Sequence, residues 1–211
     1  MASALLTQAA TWTGALSLAE PAPGGPSGCE PPCLEVLYFY ARGDPLEEAL
    51  LAGLGRGLAD VRAWYGRQVG RAFHYGPPTP VQGLKTVAEY CSSLPCQPTT
   101  DWKALFRAVV DELKERGYIE AGSPDRIYLI AVQTYEISSS LGEPGGPWYS
   151  GAGGGIATIG QRELLAMATP CSEDCRRRDG ALGLMTHELG HAFNLPHPHE
   201  DLYSGGRDPC D

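Results

Sequence analysis

No apolar run in the sequence approaches the roughly twenty residues that cross a bilayer as a helix, so no helical membrane span is expected. Positive charge is also scarce. Sixteen Lys and Arg stand against 25 Asp and Glu, giving a formal net charge of -9 and a pI near 5.0. That balance lacks the basic surface that nucleic acid or an anionic membrane requires, and neither is expected as a partner. Residues 1–19 hold neither a basic segment nor a continuous apolar one, so no secretory signal is legible there. Asparagine is nearly absent, and the single one, Asn194, stands among histidines close to the end of the chain.

Glycine, proline and cysteine are what the chain has in quantity, with 27 Gly, 18 Pro and 7 Cys in 211 residues. That length suits one domain with a substantial core. The prolines and glycines between 20 and 33 forbid regular structure and make 1–33 an extended N-terminal segment, followed by a single domain over 34–211. The cysteines fall into three close pairs in loop-like sequence: Cys29 with Cys33, Cys91 with Cys96, and Cys171 with Cys175. Three short disulfide staples are the expected use, which implies a secreted, extracellular protein. Reduced thiols or a second metal site are the competing uses, the latter disfavoured because C-x3-C is looser than the usual zinc spacing. Cys210 has no close partner, and a continuation of the natural polypeptide beyond Asp211 is expected to supply one.

The pattern along the domain is α+β. Leu34 to Tyr40 is a buried strand by composition. Asp44-Pro45 opens a helix that Leu46, Ala49, Leu50, Leu54, Leu58, Val61 and Tyr65 carry to about Gly66. Gly53, Gly55 and Gly57 inside it cost about 1 kcal/mol each, so a close packing partner or an irregular helix is expected. Arg71 to Tyr75 predicts a short strand, and Asp101 to Arg116 a helix capped by Thr99 or Thr100 and ended by Gly117. Arg126 to Val132 is the most apolar strand and belongs at the centre of the sheet. Leu141 to Gly155 predicts a long surface loop, either a wall of the active site or a mobile connection, leading into a strand at Ile156 to Ile159. Glu163 to Met167 is a turn of helix, Cys171 to Arg178 a charged loop, and Asp179 the cap of a last helix that buries Leu182, Met185, Leu189 and Phe193.

That last helix carries the chemistry, in the stretch His187-Glu188-Leu189-Gly190-His191-Ala192-Phe193-Asn194-Leu195-Pro196-His197. Histidines four apart on a helix lie about 40° apart around the axis and about 6 Å apart along it, so both rings can reach one metal ion. Glu188 beside the first ligand is placed to act on a water held at a zinc ion and is not needed as a ligand itself. Asn194 tolerates the left-handed backbone that ends a helix sharply, and Pro196 prevents its resumption. His197 is the expected third ligand, with His199 as its rival; His74 stands alone and is a strand-end side chain.

The stretch resembles the H-E-x-x-H-x-x-G-x-x-H signature of the metzincin clan of zinc endopeptidases. The resemblance implies a zincin-like N-terminal subdomain: a twisted mixed sheet of about 4–5 strands, a long helix and a zinc-binding active-site helix. It implies one catalytic Zn2+ held by His187, His191 and His197, with Glu188 as general base and acid. Gly154, Gly155, Ile156, Ala157 and Thr158 resemble the substrate-binding edge strand. Asn194 replaces the family's glycine, and no methionine follows His197 to form the usual floor turn. Most of a C-terminal subdomain is therefore expected to lie beyond Asp211.

The implied activity is zinc-dependent hydrolysis of peptide bonds in protein or peptide substrates by a monomer. Two rival readings are a secreted binding module with a structural or vestigial zinc site, and a latent form in which Cys29 or Cys33 caps the metal. Retention of Glu188, which metal binding does not require, speaks against the first. No known latency pattern matches the sequence around Cys29 and Cys33 closely.

Overall fold

The computed structural model describes residues 33–91, 102–120, 126–133, 140–143 and 155–195. The N-terminal segment 1–32, Gly154, His197, His199 and Cys210 lie outside the described residues. Cys33 and Cys175 are disulfide-bonded. The pairings expected for the cysteines also lie outside the described side chains.

A mostly parallel sheet forms the centre, with helices on both faces. In chain order, β1 (Cys33–Tyr40) leads into α1 (Glu48–Gln68), β2 (His74–Tyr75), β3 (Thr79–Gln82), α2 (Val87–Cys91) and α3 (Trp102–Glu115). There follow β4 (Arg126–Gln133), β5 (Ser140–Glu143), β6 (Ile156–Ile159), α4 (Gln161–Ala168) and α5 (Cys171–Ala192). The strand order is β2-β1-β4-β6-β5, with β3 also on β1. Among the described strands only β5 runs antiparallel to its neighbour.

β1 and β4 pair in register along their whole lengths, and both are apolar almost throughout because both faces of the sheet are covered. Their side chains divide with period two. Leu34, Val36, Tyr38, Ile127, Leu129 and Ala131 face α1, α4 and α5, whereas Leu37, Phe39, Tyr128, Ile130 and Val132 face α3. β4 is central, as its composition predicts.

Several boundaries differ from the sequence expectation, each for a physical reason. α1 starts at Glu48, not at Asp44-Pro45. Its N-terminus is held by the far end of β4: the Glu47 amide donates to Gln133 Oε1 at 3.1 Å, as does Tyr38 Oη at 2.8 Å, and Gln133 Nε2 donates to the Pro45 carbonyl at 2.8 Å. A side chain 86 residues away thus does the work expected of a local cap. β2 is only two residues long because Gly76-Pro77-Pro78 interrupts the pairing on the β1 edge. β3 resumes that pairing with the register slipped by one residue, and the sequence reading missed it together with α2. β5 was expected as loop; Ser-Leu-Gly-Glu has little intrinsic strand preference, and its pairing with β6 supplies the strand. α5 begins at Cys171, eight residues before Asp179, and extended Pro170 at φ -58 and ψ 139 precedes it.

The glycines of α1 are explained in part by close packing. A Cβ on Gly53 would lie 2.7 Å from the Ala168 Cα, and one on Gly57 would overlap the Met167 side chain. α4 therefore sits directly on the α1 backbone. Gly55 faces open space, and nothing in the structure explains it.

Three buried tyrosines make a pH prediction. Burial raises the Tyr65 hydroxyl to about 12 and raises those of Tyr38 and Tyr90 further. An unfolded tyrosine releases its proton near 10, so above that pH the unfolded chain binds fewer protons than the folded one. The stabilisation is complete below about pH 10 and is lost as pH rises through the folded values. Denaturant midpoints measured from pH 9 to 12 are expected to fall above about pH 10, with tyrosinate absorbance appearing together with unfolding. A flat midpoint across that window would contradict it.

Candidate metal centre

α5 places the histidine pair through its own geometry. His187 and His191 are one turn apart, and their ring planes meet at 85° with centroids 4.6 Å apart. The two Nε2 atoms approach to 3.1 Å. Two nitrogens bound to one tetrahedral zinc at about 2.0–2.1 Å lie about 3.3–3.4 Å apart, so the pair fits a shared ion with little adjustment. His187 is exposed, His191 is half-buried, and Glu188 is 8 % exposed. The imidazoles therefore face outward while the carboxylate between them is sheltered. Among the described residues no group of three His, Cys, Asp or Glu side chains comes together, so two of the expected ligands are placed and the third is not.

The end of the helix is built as the sequence predicts. Asn194 has φ 61, in the left-handed region. Its amide donates to the His191 carbonyl and the Leu195 amide to the Gly190 carbonyl, both at 2.8 Å, which together form a Schellman turn. The chain thus leaves the helix axis immediately after the second histidine.

Two tertiary contacts fix this turn of helix. Ala192 is fully buried, and a Cβ added to Gly155 would overlap its carbonyl and lie 2.5 Å from its Cα. On another side, the Phe193 ring packs on Tyr65 and Phe73, each centroid 5.6 Å away, and Tyr65 Oη donates to the Thr186 carbonyl at 2.9 Å. Tyr65 was expected only as one apolar position of α1, and nothing local in the sequence marks this second contact. Replacing Gly155 by alanine should therefore force the β6 entry and the end of α5 apart. The expected loss is about 1–3 kcal/mol of unfolding free energy. Urea denaturation of Gly155→Ala checks it, and an unchanged midpoint would show that the two backbones separate at no cost.

The edge position expected for this strand is corrected. Gly155, Ile156, Ala157 and Thr158 do not form an edge: β6 is paired with β4 on one side and with β5 on the other. Gly155, Ala157 and Thr158 are buried, and Ile156 is half-buried. Within the described sheet β5 carries the outer edge on that side. A groove of about 550 Å³ between α1 and α5, bordered by Trp64, Arg67, Arg178 and Gly183, reaches Thr186 but includes neither histidine.

No family model matches the chain, and no curated relative matches it. Among solved structures, it is similar to wild-type OgpA from Akkermansia muciniphila, with 20% sequence identity and a TM-score of 0.46 over 80% of this chain. The chain spans 49% of the length of that structure.

Proposed function

We propose that the chain is a secreted zinc-dependent endopeptidase of metzincin type, acting on protein or peptide substrates. His187, His191 and His197 would hold the metal, and Glu188 would handle protons. The observation that carries this reading is the 3.1 Å approach of the His187 and His191 Nε2 atoms on one turn of α5, beside a sheltered Glu188. The Schellman turn at Asn194, three residues before His197, supports the third ligand.

A zinc ion held there would supply a Lewis acid that acidifies water and polarises a carbonyl. Glu188 would take a proton from the water and deliver it to the leaving amine. Extended substrate would add beside β5, whose backbone carries the outer edge of the described sheet next to β6 and α5. The disulfide-bonded Cys33 and Cys175 support an oxidising compartment.

The test is metal analysis of the purified protein combined with digestion of a mixed peptide pool. One zinc per chain, with cleavage abolished by a chelator and restored by zinc, is the expected result. One zinc without cleavage of any peptide would favour the binding-module reading. Absence of stoichiometric zinc would remove both.

A further inference from the structure

We propose that Tyr65 is a positioning residue for the metal pair, fixing from a different helix the turn of α5 that carries His187 and His191. This rests on the zinc reading given above. Tyr65 touches the motif at both ends. Its hydroxyl donates to the carbonyl of Thr186, the residue before the first histidine, and its ring meets Phe193, two residues after the second. Between those contacts, a Cβ on Gly190 would stand 3.5 Å from Tyr65 Oη, so the hydroxyl lies against the bare backbone of the same turn.

The clamp is itself held. Phe73 packs edge-on against Tyr65 at 5.6 Å, and the Phe73 carbonyl accepts from Arg62 Nε at 2.9 Å, one turn back on α1. Tyr65 is 5 % exposed, so water does not compete freely for its hydroxyl. Gly155 against Ala192 closes another side of the same turn. A rotation or slide of that turn would break the hydroxyl contact and the aromatic contact together. Partners bonded directly to metal ligands are worth about 10–100-fold in metal affinity, and one that acts on the backbone beside them is expected at the lower end of that range.

Tyr65→Phe isolates the hydroxyl, since it keeps the ring and leaves the Thr186 carbonyl able to serve as an ordinary helix acceptor. Zinc affinity by chelator competition is the main readout, with the visible spectrum of the cobalt-substituted protein reporting ligand geometry. Amide exchange across α5 is read on the metal-free protein. The expected result is at least a tenfold weaker zinc affinity, a shifted cobalt spectrum, and faster exchange at 187–193 but not at 176–183. Leu50→Ala, at the far end of α1, serves as the control: it lowers thermal stability and leaves zinc affinity within twofold. If the wild type binds one zinc and Tyr65→Phe binds it equally well with the same spectrum, the positioning role is wrong and the zinc reading stands. If the wild type binds no zinc, the zinc reading fails first and takes this role with it.

Discussion

Glu188→Gln is expected to lower peptide hydrolysis about a thousandfold while the protein keeps one zinc per chain. The two readouts separate because the residues divide the work. Glu188 is sheltered at 8 % exposure, whereas the ring nitrogens of His187 and His191 converge on the outer face of the helix. An amide of the same size preserves that burial and cannot accept the proton from water. His191→Ala should do the reverse, removing the metal first and activity as a consequence, since it takes away one of the two nitrogens that converge on the proposed site and leaves two of the three proposed imidazoles. Steady-state cleavage together with metal stoichiometry on both variants decides the assignment. Loss of zinc from Glu188→Gln would make Glu188 a ligand, and retention of a tenth or more of the activity would place the general base elsewhere.

Glu112→Ala should be strongly destabilising although it lies away from the histidine pair, by about 3 kcal/mol. Glu112 lies on α3 and is 6 % exposed. It accepts from the Leu84 amide at 2.9 Å, from Tyr90 Oη, and from Arg116 at 3.1 Å. These bonds tie the connection between β3 and α2 to the helix beneath it. Alanine removes the acceptor and leaves a phenol and a guanidinium facing a gap, although Arg116 keeps its 2.7 Å bond to the Gln82 carbonyl. Glu112→Gln, which retains one acceptor oxygen, should cost about half as much. Urea unfolding measures both, and a loss below about 1 kcal/mol for the alanine variant would mean that water replaces the carboxylate.

The Glu188 and Glu112 variants probe parts of the molecule that differed in legibility. The histidine pair, the adjacent glutamate and the asparagine turn could be read from residue spacing alone, because helical periodicity and left-handed backbone preference act over four or five residues. β1, β4 and α3 were equally legible: their apolar patterns are continuous or strictly periodic. β3 escaped notice because its short Thr-Pro-Val-Gln segment becomes a strand only by pairing with β1. β5 escaped for the same reason, and with it the outer edge of the described sheet, so the edge position was assigned to β6. The start of α1 was misplaced because its N-terminus is held by Gln133, and no local rule anticipates a cap delivered from the last residue of another strand.

The sequence by itself determined the chemistry on offer: two imidazoles one helical turn apart, a carboxylate between them, and a helix that stops at Asn194. Those features depend on backbone geometry within a single turn and need no distant partner. Only the tertiary structure decided how firmly that turn is held and which strand stands at the edge. Tyr65 reaches Thr186 across 121 residues of chain, and Gly155 meets Ala192 backbone to backbone. Contacts of that kind arise from the packing of α1, β6 and α5, and packing is settled by the whole core and not by any local pattern.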